Sequence, residues 1–224
     1  MRINKYIASR SQYSRRQADD IIKSGRVSIN GSVLSDLSYR VSDGDNVFID
    51  DKPLDQQSYD FVYYVLNKPR GYECSAHAEE SVLDLVPSNP PVSYVGRLDK
   101  MSEGLLVLTN DGDLAYKMTH PKFFKEKEYE VTVDRNLRED QLKLLRSGMV
   151  IDGYRTQPCE VVRVSMRKFK IVLTEGRNRQ IRKMCRKLTL RVHRLKRLRV
   201  GSLTLNTPLG DYTELNSAVF ADFR

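Results

Sequence analysis

Cysteine is scarce in this chain and badly placed for joint work. The three, Cys74, Cys159 and Cys185, are odd in number, far apart and without Cys-x-x-Cys spacing. They support neither a disulfide framework nor a zinc site, and a reducing, cytoplasmic setting is the expectation. His77, His120 and His193 form no cluster, so no metal site is expected. No apolar run approaches the ~18 residues that span a bilayer, and the opening MRINKYIASR is too polar for a secretory signal. A soluble chain with no membrane partner follows. The glycine-rich loop that a cofactor-dependent methyltransferase would carry after an early strand is also missing. Acid is wholly absent from residues 176–199, which hold eleven cations: Arg177, Arg179, Arg182, Lys183, Arg186, Lys187, Arg191, Arg194, Lys196, Arg197 and Arg199. That exceeds the net charge of +9 for all 224 residues. The first 26 residues add seven cations against Asp19 and Asp20. Two basic segments at opposite ends suggest an extended surface for a phosphate backbone, with binding that weakens steeply in salt.

The N-terminal pattern predicts a small module. Ile3, Tyr6 and Ile7 give one apolar helix face, and Ser14 with Gln17 makes a capping box for a second helix carrying Ala18, Ile21 and Ile22 inward. Gly25 ends that helix. Val27 and Ile29 then alternate into Asn30-Gly31, a strong hairpin signal, and Ser42 to Asp45 turns the chain into Val47, Phe48 and Ile49. Two helices on a hairpin would occupy residues 1–55. The polar stretch from Asp51 to Ser58 predicts a linker, and a second domain over 59–224.

The longer domain is organised around Tyr94 to Gly112, YVGRLDKMSEGLLVLTNDG. An apolar lead-in, a glycine, a flanked carboxylate, a continuous apolar run and a turn predict strand, loop, buried strand, turn. Asp99 would then sit in a loop held at both ends by core strands, a rigid support for a reactive side chain. Its plain structural role would be a loop cap or an ion pair with Arg97. Upstream, Phe61 to Leu66 predicts a buried strand ending in the turn Asn67-Lys68-Pro69-Arg70-Gly71, and Ser81 to Val86 a short helix. Downstream, Asp111 or Asp113 starts a helix that ends at His120-Pro121. Tyr129, Val131 and Val133 alternate as a half-buried strand, where Tyr129 would ordinarily be a core residue with its hydroxyl at the rim. Leu137, Leu142 and Leu145 are loosely helical. Val161 to Val164 and Phe169 to Leu173 form a hairpin. Ile181, Met184, Cys185 and Leu188 share one face of a basic helix.

The sequence GRLDKMSEGLL followed by NDG resembles the signature of the RNA pseudouridine synthases, in the RsuA/RluB/RluE/RluF group. Residues 1–53, with RRQADDIIKSGRVSINGSVL, resemble the RNA-binding domain named after ribosomal protein S-four. The NKPxG turn, the KxY setting of Tyr129 and the QIR of the basic helix resemble further motifs of the synthases, so the resemblance spans essentially the whole chain. It implies an α+β fold: an S-four-like module of helices and hairpin, then a mainly antiparallel, mixed sheet with helices on its outer faces. It also implies isomerisation of uridine to pseudouridine with no cofactor and no metal. Asp99 would act at the sugar's C1′, and Tyr129 would stack on the target base and move protons. Arg182 would keep Asp99 ionised, Arg97 would fill the space left by the flipped base, and Leu173 would lie against that base. Arg10, Arg15, Arg16, Lys23, Arg26, Lys68, Arg177, Arg179 and Lys183 are the expected RNA contacts.

Ser102 stands where threonine is commoner in the group, and Met101 occupies a variable position. Asn178-Arg179-Gln180, where many relatives have histidine before the glutamine, points to the RluF and RluE side, with RluF-like members nearest. The implied partner is a structured stem-loop of ribosomal RNA, most plausibly 23S, met by a monomer in the cytoplasm. A 16S synthase, or an assembly factor that binds ribosomal RNA without chemistry, is the alternative; intact Asp99, Tyr129 and Arg182 argue against the latter.

Overall fold

The computed structural model describes residues 1–11, 13–54 and 61–223, and the chain divides into two compact units, Met1–Phe61 and Val62–Arg224. The first unit opens with α1 (Ile3–Ala8) and α2 (Arg15–Lys23). Ser14 caps α2 as its pattern predicts: Gln17 N donates to Ser14 Oγ over 3.3 Å, and Ser14 N donates to Gln17 Oε1 over 2.8 Å. Two donors that a helix start leaves unpaired are thereby satisfied. Asn30 and Gly31, at φ 52° and 83°, close the hairpin of β1 (Val27–Ile29) and β2 (Ser32–Val33), the left-handed pair that a type I′ turn requires.

A hairpin alone is the expectation here, but the sheet has four strands, in the order β2-β1-β3-β4. Strand β3 (Val47–Ile49) lies antiparallel to β1 and turns at Asp50 and Asp51 into β4 (Lys52–Pro53). The beginning of the expected linker thus belongs to the module. Pro53 sits on an edge strand, where its missing N–H costs no ladder bond, and Leu54 is buried with Ile3, Ile7 and Ile22. The remainder of that linker, from residue 55, and the expected 55/59 boundary lie outside the described residues.

The second unit begins with β5 (Tyr63–Lys68), a 3-10 turn at Val82–Leu85, β6 (Ser93–Val95), β7 (Glu103–Thr109) and α3 (Gly112–Thr119). It continues through β8 (Lys127–Val133), α4 (Glu139–Ser147) and the short hairpin of β9 (Val150–Ile151) and β10 (Tyr154–Arg155). The hairpin of β11 (Glu160–Ser165) and β12 (Lys168–Leu173) precedes α5 (Gln180–Lys187). Last come β13 (Val192–Val200), β14 (Leu203–Thr204) and β15 (Tyr212–Glu214). The main sheet runs β11-β12-β8-β13-β7-β5-β15, with β6 beside β7 and β14 beside β13.

Strands β5 and β7 are buried along their whole length. Tyr63, Val65, Leu105 and Val107 pack on one face with α3, while Tyr64, Leu66, Leu106 and Leu108 pack on the other with Val82 and Leu98. Covering both faces explains why their sequences read as continuous apolar runs, whereas β12 alternates. The chain's end is also core: Phe220 and Phe223 are buried among the α3 side chains, a contribution that no periodicity announces. Among the described residues no helix is long and apolar enough to cross a membrane.

Every neighbouring pair in the main sheet is antiparallel except β7 and β13, which run parallel through Lys196 opposite Glu103 and Arg197 opposite Gly104. Gly104 has φ 106°, and a Cβ there would lie 2.3 Å from Arg197 O and 2.6 Å from Arg197 N. Both the backbone angle and the approach of β13 therefore require glycine. Gly104→Ala should cost about 3 kcal/mol or more, lowering Tm by roughly 6–12 °C. A thermal melt within about 2 °C of wild type would show that the strands can part without loss.

Candidate active site

The loop from Gly96 to Ser102 joins β6 to β7, which pair with each other through Val95 and Val107. Its ends are thus two strands of one sheet. Leu98 is 7 % exposed and anchors the loop to the core, Leu98 N donates to Cys74 Sγ over 3.4 Å, and Ser102 N donates to Asp99 O over 2.9 Å. A further clamp comes from Lys68, the last residue of β5. The side chain is fully buried and its ammonium donates to Pro69 O (2.8 Å), Lys100 O (3.3 Å) and Ser102 O (2.8 Å). Lys68 is expected from the sequence as an RNA contact on a turn, and its burial excludes that. The sequence places the strand end too early; β5 carries on through Asn67 and Lys68, so the amine turns inward.

Asp99 emerges from this fixed loop with its side chain 30 % exposed. Arg182 Nε and Arg179 Nη1 each lie 3.6 Å from Asp99 Oδ2. Arg182 is nearly enclosed, at 12 % side-chain exposure. Its Nη2 donates to Met101 O (3.0 Å) and Ser102 Oγ (3.2 Å), and its Nη1 to Val192 O (3.4 Å). The guanidinium thus ties the Asp99 loop to the start of β13. Burial, followed by repulsion from Arg179, pulls the Arg182 pKa down, and Asp99 opposes that shift; an arginine nonetheless keeps its proton in a protein. Arg182 Nε is buried without a hydrogen-bond partner, a free donor beside the carboxylate. The ion pair expected between Asp99 and Arg97 is absent: Asp99 pairs with Arg179 and Arg182, and exposed Arg97 makes no ion pair among the described residues.

Tyr129 is half-buried on β8, opposite Ile171 of β12 and Arg197 of β13. It packs against two core clusters, one containing Leu98 and the other containing Leu173 and Ile181. Leu173 ends β12 at 4 % exposure. Asp99, Tyr129, Leu173 and Arg182 thus come from four separate segments, the loop before β7, β8, β12 and α5; Asp99 meets Arg182 directly, and Tyr129 packs against the clusters that hold Leu98 and Leu173.

The basic run 176–199 does not form a single surface. Alternation along β13 buries Arg197, whose Nε donates to Leu105 O over 2.7 Å, and Arg199 pairs with Glu126 and Glu128. Arg194 pairs with Glu103, a carboxylate 3 % exposed that Arg70 approaches to 4.0 Å. Glu103 escapes notice in the sequence because it reads as one more charge before an apolar run. Of the other expected RNA contacts, Arg177 lies over the Tyr154 ring and Lys183 pairs with Asp152. In the first unit Arg15, Arg16 and Lys23 are exposed and form no ion pair among the described residues, Arg10 lies 4.0 Å over Tyr6, and Arg26 is held by Asp50 at 2.5 Å.

Comparison with known proteins finds two family matches: RNA pseudouridylate synthase over residues 62–187, and S4 domain over residues 1–47. The dual-specificity RNA pseudouridine synthase RluF of Escherichia coli K12 is 36 % identical, over 99 % of this chain and 78 % of its own. Ribosomal large subunit pseudouridine synthase B of Bacillus subtilis is 34 % identical over 96 % and 91 %. An RNA pseudouridine synthase of Aquifex aeolicus described as uncharacterized is 35 % identical over 96 % and 92 %. A crystal structure of a pseudouridylate synthase superposes over the full length of both chains, with TM-score 0.74 and 27 % identity.

Burial pushes the Lys68 ammonium down from 10.5 to about 8. Between these values the unfolded chain holds the proton and the folded chain does not, so the stability contributed by Lys68 rises with pH across that window. Urea unfolding at several pH values between about 7.5 and 10.5 should show wild type gaining on Lys68→Met as pH rises. A constant difference would mean that Lys68 stays protonated in the fold.

Proposed function

The chain belongs to the RNA pseudouridine synthase family, and on that premise we propose that it isomerises uridine to pseudouridine in ribosomal RNA, with Asp99 as the catalytic carboxylate. In that reaction the N1–C1′ bond breaks, C5 takes its place on C1′, C5 loses a proton and N1 gains one. Composition is unchanged and no co-reactant is consumed. The observation that carries the assignment is the meeting of Asp99 with Arg179 and Arg182 at 3.6 Å in a loop pinned by Lys68 and Leu98. The carboxylate, faced by two guanidiniums, is placed to serve C1′ as nucleophile or as stabiliser of positive charge. Partial exposure of Asp99 leaves it reachable.

Tyr129 is assigned to stack on the target base and to move protons, Leu173 to line the base pocket, and Arg182 to hold Asp99 ionised. Taking the base out of its stack costs a few kcal/mol. Arg97, exposed and without an ion pair among the described residues, is assigned to fill the vacated space. Arg15, Arg16 and Lys23 of the first unit would hold phosphates and so position the RNA without reading its bases. Arg26 is a weaker candidate because Asp50 already occupies it. The names of the relatives carry the substrate class: one is a ribosomal large subunit synthase and one is a dual-specificity RNA synthase. Accordingly we assign 23S rRNA, met as a folded stem-loop by a monomer in the cytoplasm.

The test is pseudouridine mapping in ribosomal RNA, by carbodiimide treatment and primer extension, from cells lacking the protein and from cells with only Asp99→Asn. The expected result is loss of the same large-subunit sites in both. Sites persisting with Asp99→Asn but lost in the deletion would remove Asp99 from the chemistry. No change in either strain would leave a different RNA or a binding role. Arg182→Lys, which cannot span Met101, Ser102, Val192 and Asp99 together, should lower kcat by on the order of 10²-fold, with the fold retained by circular dichroism.

A further inference from the structure

Beside Arg182 lies a groove of about 420 Å³ between α5 and the start of β13. Arg179, Arg182, Arg186, Arg191 and His193 line it, Met101, Leu190 and Val192 supply apolar wall, and no carboxylate takes part. Thr189, at φ 59°, ends the turn after α5 and brings Leu190 to His193 back beside the helix. Its size falls within the range of sites that hold small molecules or parts of larger ones.

Arg179 and Arg182 of this groove already face Asp99, whereas its other two arginines have no such partner among the described residues. Along the same sheet the cations are offset by acids: Arg194 by Glu103, Arg199 by Glu126 and Glu128, Lys168 by Glu130, Lys170 by Glu128. Arg186 and Arg191 are exposed and their side chains make no ion pair among the described residues. The carbonyl end of α5 would by itself repel an anion, but Arg186 and Lys187 occupy its last turn and outweigh that half charge. Met101 is 54 % exposed, although it belongs to the same pinned loop as Asp99, two residues away. A groove with cationic walls, an apolar strip and no acid suits a sugar-phosphate unit: phosphate against the guanidinium groups, ribose and base against the apolar strip.

We propose that this groove binds the nucleotide adjoining the target uridine, with Arg186 and Arg191 on its phosphate and Met101 and Val192 against its sugar or base. The inference rests on the RNA substrate proposed above. Because Arg182 both touches Asp99 and lines the groove, a strand whose uridine lies at Asp99 enters the groove at the next residue. Met101, in the loop's variable place, then becomes a determinant of which neighbouring nucleotide is accepted.

The test uses the full chain, a substrate stem-loop and a graded series of KCl concentrations. Arg186→Gln/Arg191→Gln should weaken binding about tenfold and flatten the plot of log affinity against log salt by roughly 0.7–1.4, the range for one or two phosphate contacts to a single strand. Lys143→Gln/Arg155→Gln, which removes two exposed cations outside the groove, should leave both quantities within about twofold of wild type, as surface substitutions away from a contact do. Met101→Asp, which sets an acid in the groove, should weaken binding as well. If wild type modifies its RNA while Arg186→Gln/Arg191→Gln keeps its affinity and slope, the groove assignment alone falls. The same holds if affinity drops with no change in slope, because the contact is then not to phosphate. If wild type binds no RNA, the functional proposal falls with it.

Discussion

The rest of the second unit depends on a two-residue parallel contact, Lys196 with Glu103 and Arg197 with Gly104. Parallel strands start at the same edge of a sheet, so whatever precedes β7 and whatever precedes β13 must emerge side by side. What precedes them is the Asp99 loop and α5. A carboxylate and two guanidiniums some eighty residues apart in the chain are thus neighbours for a topological reason. The backbones also come so close there that nothing larger than hydrogen fits at Gly104. Arg197 reinforces it from the other strand, its buried Nε bonded to Leu105 O.

Around this seam the protein uses buried cations as structural clamps and exposed ones as a field. Lys68 is enclosed and spends its three N–H bonds on backbone carbonyls, two of them in the Asp99 loop. The same low-dielectric setting that makes each bond strong makes the charge expensive, which is why its pKa falls. Glu103 is the complementary case, an enclosed acid at the first position of β7, flanked by Arg194 and Arg70. These groups hold the loop in place, which fixes Asp99 before any partner arrives, as the role we propose for it requires.

The small first unit follows a different logic. Its core is a handful of aliphatic side chains from two short helices and a four-stranded sheet, and its stops are local devices: a capping box, an Asn-Gly turn and a left-handed Asp pair. Where an acid lies within reach, as Asp50 does for Arg26, a cation is absorbed into the fold. Arg15, Arg16 and Lys23 are exposed and form no ion pair among the described residues, which leaves them to solvent or to a partner's phosphates.

The sequence by itself determined the local elements and singled out the carboxylate that we propose as the reactive group. Periodicity and turn chemistry are short-range, so α2 with its Ser14 cap, the Asn30-Gly31 hairpin, β6-loop-β7 and α5 were all legible, and the GRLD resemblance singled out Asp99. Only the tertiary structure decided which charges are buried. Lys68, Arg197 and Glu103 look like surface residues in one dimension, because burial of a charge depends on carbonyls and counter-charges supplied by distant strands. Arg97 and Arg179 make the same point in reverse. Arg97 is the sequence neighbour of Asp99, yet Arg179 and Arg182 are its partners in space. Chain order cannot rank those three arginines; the parallel register of β7 and β13 does, by bringing the N-terminal end of α5 to the Asp99 loop.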